Sequence, residues 1–411
     1  MAAPISAPSG YRQSTWLVGL AALAAVITLW VISSFLINEI FESEIYAKPF
    51  FITYINTSIF IFYLMPFVFT YLRCRVNGSK VDMYDILKNE LNANSQAESS
   101  LSSLQRTGSR KSRTVVDLES QIETTELISN NNDSSSDNGS FNIDNNHPII
   151  IDNDPLSLQE TIKLSFQFCL LWYAANLVTN ASLRYTSVSS QTILSSTSSF
   201  FTLFFGVVFR IDTINKIKLI SLIFSFVGIV IITRIDSHSS PHKVSLKDDN
   251  YGFAMFLGNL LALAGACFYG AYTVLLKLKV RSQDRLNTKL FFGFVGIFNI
   301  VLLWPTLFVW HFTGIESFEL PSSSFVWKII LINCLITFIS DYCWAIAVLL
   351  TSPLTVTVGL SLTIPLALLG DAVYKGKTIS IGYLLGAAII SVSFFMINKD
   401  QEDVVEEDGI Q

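Results

Sequence analysis

Ten apolar stretches, each near the length a helix needs to cross a bilayer, occupy residues 15–37, 50–72, 160–182, 188–209, 217–235, 252–276, 289–312, 326–349, 353–374 and 380–398. Few folds are open to such a chain, because backbone polar groups inside hydrocarbon must be bonded within helices or closed barrels. The sequence predicts an all-α integral membrane protein with ten transmembrane helices. Composition agrees: 51% of the 411 residues are hydrophobic and 14% charged, too apolar for a single soluble core. The first stretch lacks the small-residue flank of a cleaved signal and reads as a retained anchor.

Sliding the chain by 165 residues lays one group of five stretches on the other. Lys163 falls on Lys328, Cys169 on Cys334, Thr186 on Thr351, Ser187 on Ser352, Thr192 on Thr357, Ser196 on Ser361, Thr213 on Thr378 and Val227 on Val392. Hydropathy, polar positions and basic helix ends share this register, which signals an internal repeat. With five stretches per half, the two halves are expected to be inverted relative to each other.

The organisation follows from the hydrophilic gaps. Residues 1–72 carry the first two helices, 158–235 the next three and 252–398 the second five; 399–411 form an acidic tail. The intervening 73–157 segment is rich in Ser, Asn and Asp and poor in aromatics, so it is expected to be a disordered cytosolic loop. Its Arg106–Ser112 segment offers basic-flanked hydroxyls to kinases. Lys and Arg gather in that loop and at Arg210, Lys216, Lys218, Lys277, Lys279, Arg281 and Arg285, which places both ends of the chain in the cytosol. The net charge of −5 reflects loop and tail, not a folded face, and gives no footprint for nucleic acid. Four of the five cysteines lie inside apolar stretches, so no disulfide framework is implied.

Polar groups within the membrane are the candidate site, since each is costly there unless partnered. Asn333, Thr337 and Asp341 recur every four residues; Tyr173, Asn176 and Asn180 form a matching stripe, with Asn176 the repeat partner of Asp341. Asp341 is the acidic residue well inside a stretch and is assigned substrate binding or coupling. Thr192 and Ser196 match Thr357 and Ser361 as a second stripe, although such hydroxyls often bond only their own preceding turn. The alternative role for the asparagines is hydrogen-bonded glue between helices. Pro305 and Pro365 mark expected bends, and Gly258, Ala262, Ala266 and Gly270, like Gly382 and Gly386, read as packing seams.

Diphosphate-bearing solutes call for Lys or Arg in the site, and no basic residue lies deep in any stretch. Aromatics do: Trp30, Tyr54, Tyr63, Trp172, Tyr173, Tyr269, Tyr272, Trp304 and Trp344. One carboxylate among aromatic faces suits a cationic or neutral amphipathic solute. His147, His238, His242 and His311 have no ligand-spaced partners, so no metal, no cofactor and no enzyme chemistry are expected.

Segments Leu194-Ser195-Ser196-Thr197-Ser198-Ser199-Phe200, Phe291-Phe292-Gly293-Phe294-Val295-Gly296, Leu303-Trp304-Pro305 and Leu360-Ser361-Leu362-Thr363-Ile364-Pro365 resemble the drug/metabolite transporter superfamily with EamA-type repeats. They are most similar to subfamily F of solute carrier family 35 and its fungal vacuolar-membrane relatives. The resemblance implies a five-plus-five inverted repeat around a central cavity, and a vacuolar address, with the Golgi or another endomembrane as alternative. The sequence thus points to a secondary transporter moving a small organic solute across a lipid bilayer. A non-transporting scaffold or sensor, recruiting partners through the 73–157 loop, is the alternative that a buried polar cavity would disfavour.

Overall fold

The computed structural model describes residues 9–42, 46, 48–77, 82–89, 91, 155–182, 185, 188–239, 251–281, 285–314, 316–375 and 380–410. Among these every regular element is a helix and there is no strand. The helices are α1 (Ser9–Glu42), α2 (Pro49–Ser58), which continues through a 3-10 segment (Ile59–Leu64) into α3 (Met65–Val76), α4 (Leu158–Ser182), α5 (Val188–Ser196), α6 (Ser198–Val208) and α7 (Lys216–Ser239). Then follow α8 (Tyr251–Val280), α9 (Thr288–Phe312), α10 (Ser324–Leu350), α11 (Pro353–Leu360), α12 (Thr363–Lys375) and α13 (Ile381–Ile410).

Local chemistry sets several starts. Asn287 accepts from the Leu290 N–H at the head of α9, Ser323 from Phe325 at α10, and Ser352 from Thr355 at α11, where Pro353 follows at the first helical position. Eight helical spans among the described residues are long and apolar enough to cross a membrane: α1, α7, α8, α9, α10 and α13 singly, and the continuous runs from α2 to α3 and from α5 to α6. Two of the ten stretches read from sequence fall short of that measure. Helix α4 is diluted by Glu160, Lys163, Gln167, Asn176 and Asn180, and the 353–374 stretch is divided into α11 and α12.

The division has a cause in the chain. Pro365 lacks an N–H and crowds the carbonyl of Ser361, four residues back, and the helix turns out of register at Ser361-Leu362. A matching interruption falls at Thr197, the repeat partner of Leu362, without any proline. There the Ser196 and Thr197 hydroxyls turn back onto Ile193 O (2.6 Å) and Leu194 O (2.5 Å). Helix α9, by contrast, runs through Pro305 uninterrupted.

Helices pair antiparallel. Helix α1 lies along α10, with Trp30 Nε1 donating to Ser340 Oγ (3.2 Å) and Ser33 Oγ to Asn333 Oδ1 (2.5 Å). Helix α4 lies along α8, where a Cβ at Gly265 would stand 2.2 Å from Thr179 Oγ1. Helix α7 runs against α13 through Gly228 and Gly386, and Ser393 Oγ donates to Ser221 O (2.6 Å). The 3-10 segment meets α9 at Gly293 and Gly296, with Asn299 Nδ2 donating to Tyr54 O (3.1 Å) and Ser58 Oγ (2.9 Å). Two groups result. In one, α1 and α10 hold α11 and α12, with Gly359 against Leu23 and Gly370 against Phe35; in the other, α4 and α8 hold α5 and α6, with Gly270 against Phe201 and Thr202.

Two differences from the sequence reading stand out. Residues 83–89, inside the 73–157 segment, are helical, and Leu91 is buried in an apolar cluster with Phe67, Leu158 and Leu290; Ile86, Leu87 and Leu91 have helical spacing. Residues 78–81, 90 and 92–154 of that segment, Arg106–Ser112 among them, lie outside the described residues, as do the side chains of Glu39 and Asp371. The tail starts as helix: α13 continues to Ile410, and Asp400 accepts from Asn215 Nδ2 (2.7 Å) beside the buried Lys218, which in turn binds Asp212 (2.5 Å), while the side chains of residues 402–408 lie outside the described ones.

Candidate substrate cavity

Between the two groups of helices lies a cavity of about 550 Å³. One wall comes from α1, α10, α11 and α12, the other from α4, α5, α6 and α8, with Phe292 of α9 at one edge. Asp341, Thr337, Thr357 and Ser361 line the first wall; Asn176, Thr192 and Ser196 line the second. The repeat partners Asp341 and Asn176, Thr357 and Thr192, and Ser361 and Ser196 thus face the same space from opposite sides.

Tyr173, Asn180 and Asn333 do not line it. The Tyr173 hydroxyl donates to Thr306 Oγ1 (2.5 Å), Asn180 Nδ2 to Thr53 Oγ1 (3.5 Å), and Asn333 accepts from Ser33, so all three join helices. Geometry explains the split, because a four-residue step advances about 40° past a full turn. Two steps carry Asn333 about 80° round the helix from Asp341, and Tyr173 and Asn180 both lie to one side of Asn176, away from the side on which Trp172 and Thr179 line the cavity.

The lining has a marked hydrogen-bond polarity. Ser196 Oγ donates to Ile193 O (2.6 Å), Thr357 Oγ1 to Leu354 O (3.0 Å) and Asn176 Nδ2 to Trp172 O (2.8 Å). With those protons committed, Ser196 and Thr357 present oxygen acceptors, while Asn176 keeps its amide oxygen and a second Nδ2 proton. Asp341 is the charged residue of the lining, partly exposed to the cavity, and no Lys or Arg lines it. Trp30, bonded to Ser340, is also within hydrogen-bonding reach of the Asp341 carboxyl. Around it stand Phe168, Tyr269, Tyr272 and Trp344: Phe168 and Tyr272 have ring centroids 5.2 Å apart, Tyr272 and Trp344 5.6 Å, and Trp344 Nε1 donates to Tyr269 Oη (3.3 Å).

Toward the C-terminal ends of α1 and α4 the lining residues are Ser33, Ser34, Thr179, Gln191 and Ile364; Ser34 is exposed and the other four are half-buried, and we take this end as the mouth of the cavity. Ser33, Ser34 and Thr179 escape the sequence stripes, although Thr179 lies three residues beyond Asn176 and extends that face. At the other end Leu276, Val280, Leu286, Val348 and Leu349 are buried together beneath the aromatic rings.

Outside the membrane, the connection between α9 and α10 is tied to α2. The Glu316 carboxylate accepts from the N–H groups of Phe50 and Phe51 (both 2.9 Å), and burial raises its pKa against the lowering pull of those bonds and of Lys48. Tyr46 donates to Glu319 O (2.6 Å), and its hydroxyl pKa is raised, first by burial and then by Glu316 and Glu319.

These features define a multi-pass helical membrane protein with a polar cavity between two packed helix groups. Residues 149–234 match the EamA-like transporter family. An uncharacterized vacuolar membrane protein of Saccharomyces cerevisiae is 49% identical, over 96% of this chain and 93% of its own length. A thiamine-repressible mitochondrial transport protein of the same yeast is 39% identical over 95% and 94%. Solute carrier family 35 member F5 of Pongo abelii is 31% identical over 95% and 78%. The chain belongs to the family of solute carrier family 35 member F5 and carries an EamA-like transporter domain over residues 149–234, as its resemblance to drug/metabolite transporters implies. A solved crystal structure shares the fold at a TM-score of 0.53, covering 95% of this chain and 99% of the other at 11% identity.

Proposed function

We propose that this chain is a secondary transporter that carries a small organic solute, cationic or neutral, by alternating access. In this reading the ten stretches all cross the membrane as a five-plus-five inverted repeat, with α4 and the α11–α12 pair lining the solute path. Discontinuous helices at the interface between repeats are where such proteins bind their solutes, and the α5–α6 and α11–α12 pairs, broken at Thr197 and at Ser361-Leu362, are such helices. Antiparallel pairing of the matched helices α7 and α13 supports the inversion.

The observation that carries the solute class is a cavity with one carboxylate, the committed acceptors Ser196 and Thr357, flanking aromatic rings and no base. A cation entering it gains charge pairing with Asp341 and cation–π contact with the rings. A nucleotide sugar would bring phosphate charge to a site without a counter-charge. With both chain ends in the cytosol, the mouth faces the lumen; the yeast relative's name supports a vacuolar membrane, while the second yeast relative is named mitochondrial.

The test is counterflow in proteoliposomes against a panel of organic cations, neutral amphiphiles and nucleotide sugars. Preferential exchange of a cation or neutral solute is the expected result. Binding without flux would remove the transporter reading, and preferential exchange of nucleotide sugars would remove the solute class.

A further inference from the structure

Lys277 belongs to α8, yet its ammonium is spent on the opposite wall of the cavity. Nζ donates to Leu349 O (2.5 Å) and Thr351 O (2.9 Å), carbonyls at the C-terminal end of α10. An ammonium there meets the negative end of the helix dipole as well as two charge-assisted bonds. The contact lies eight residues beyond Asp341 along α10, about 12 Å, on the sealed side of the cavity. Between the two sit the Trp344–Tyr269 bond and the buried Leu276 and Val348.

Each wall is bound within itself by close helix contacts that leave no room for slippage: Gly265 and Gly270 fix α8 to α4 and α6, and Gly359 fixes α11 to α1. The seam between α8 and α10 is different in kind. Above Lys277 it is closed by apolar and ring contacts, which are non-directional, and by one neutral hydrogen bond, Trp344 Nε1 to Tyr269 Oη (3.3 Å); no other charged tie than that of Lys277 is described there. Lys277 supplies a directional tie across the same seam.

We propose that Lys277 is the latch of the sealed end, holding the transporter with its mouth open and Asp341 closed off from the other side. For Asp341 to face that other side, α8 and α10 must part at this end, and the Lys277 bonds to the Leu349 and Thr351 carbonyls must break. Because the two walls move as units, release at this end narrows the mouth.

This inference rests on the alternating-access reading, but its test needs no transported solute. Thr273, fully buried one turn from Lys277, and Ser34, exposed at the mouth, are replaced singly by cysteine in the full-length chain in lipid nanodiscs. Modification by an impermeant maleimide is followed by peptide mass spectrometry, with native Cys74 as the internal control. Lys277→Gln is expected to raise the rate at Thr273→Cys by roughly tenfold and lower it at Ser34→Cys, the shift that loss of one charge-assisted bond produces, and Lys277→Arg to restore both. Lys277→Met, which keeps the stem, replaces Lys277→Gln if that variant does not accumulate. Unchanged rates, or a rise at Thr273→Cys without a fall at Ser34→Cys, overturn the latch, the second result meaning local fraying. A wild-type protein without counterflow would instead sink the proposed function, leaving these rates to judge Lys277 alone.

Discussion

At the scale of single residues, the cavity separates side chains whose polar atoms are spent from those with an atom to offer. Asp341 is a charged group facing the cavity, and a charge is retained within a membrane only where it finds a partner or a task. Asp341→Asn keeps shape and loses charge. It is expected to lower counterflow at least about tenfold, one charge-assisted bond's worth, with yield and elution in detergent unchanged; flux equal to wild type would refute the assignment. Ser196 and Thr357 make the opposite case, because their protons are spent on their own helices. Alanine at either is expected to change counterflow affinity less than fivefold, about 1 kcal/mol, whereas a larger loss would mean that the hydroxyl turns to the solute. Asp341 could be read from the sequence because an acid stands out in an apolar run. Asn333 sits in the same four-residue stripe, but the sequence does not say how far round the helix the cavity extends. Ser33 and Ser34 carried no signal, since a serine pair in a helix more often bonds its own backbone.

At the scale of elements, close helix contacts set the architecture. A Cβ at Gly296 would stand 2.4 Å from the Ile61 backbone nitrogen, and backbone has nowhere to retreat. Gly296→Ala is therefore expected to destabilise the protein by about 1–3 kcal/mol, seen as a lower melting temperature in detergent, and an unchanged melt would show that the 3-10 segment yields. The Glu316 tie gives a prediction with a sign. Its carboxyl pKa is raised by burial, so the folded chain binds that proton more readily than the unfolded one. Stability from this group is fully present below the ordinary glutamate value and is lost as pH rises through the raised one. Glu316→Gln, neutral throughout, is expected to flatten that fall in melting temperature; a steeper fall in the variant would reverse the reading. The long helices were legible because length and hydropathy suffice for a membrane span. The interruption at Thr197 was not, since it has no proline and depends on hydroxyls that bond backward. Nor was the reach of Lys277 across the cavity, because a lysine near a helix end reads from sequence as an interfacial charge.

At the scale of the whole molecule, exchanging the two groups of five stretches turns the α1–α10 pairing into that of α8 with α4, and returns α7 with α13 and the 3-10 segment with α9 to themselves. A contact pattern that survives this exchange, with matched helices antiparallel, is what an inverted repeat requires. The proposed orientation can be tested at Asn77-Gly78-Ser79, Asn132-Asp133-Ser134 and Asn138-Gly139-Ser140, which all fit the glycosylation sequon. With both chain ends in the cytosol, the segment between α3 and α4 is cytosolic too, so none of the three is expected to carry a glycan in cells. The reverse orientation exposes all three to the lumen and points the mouth and Ser34 at the cytosol. A mobility shift on glycosidase treatment, lost in the Asn132→Gln, Asn138→Gln double variant, would invert the orientation and the direction in which the Lys277 end opens. Absence of a shift, with Ser34→Cys in sealed vesicles reacting only from the lumenal side, would fix the mouth to the lumen.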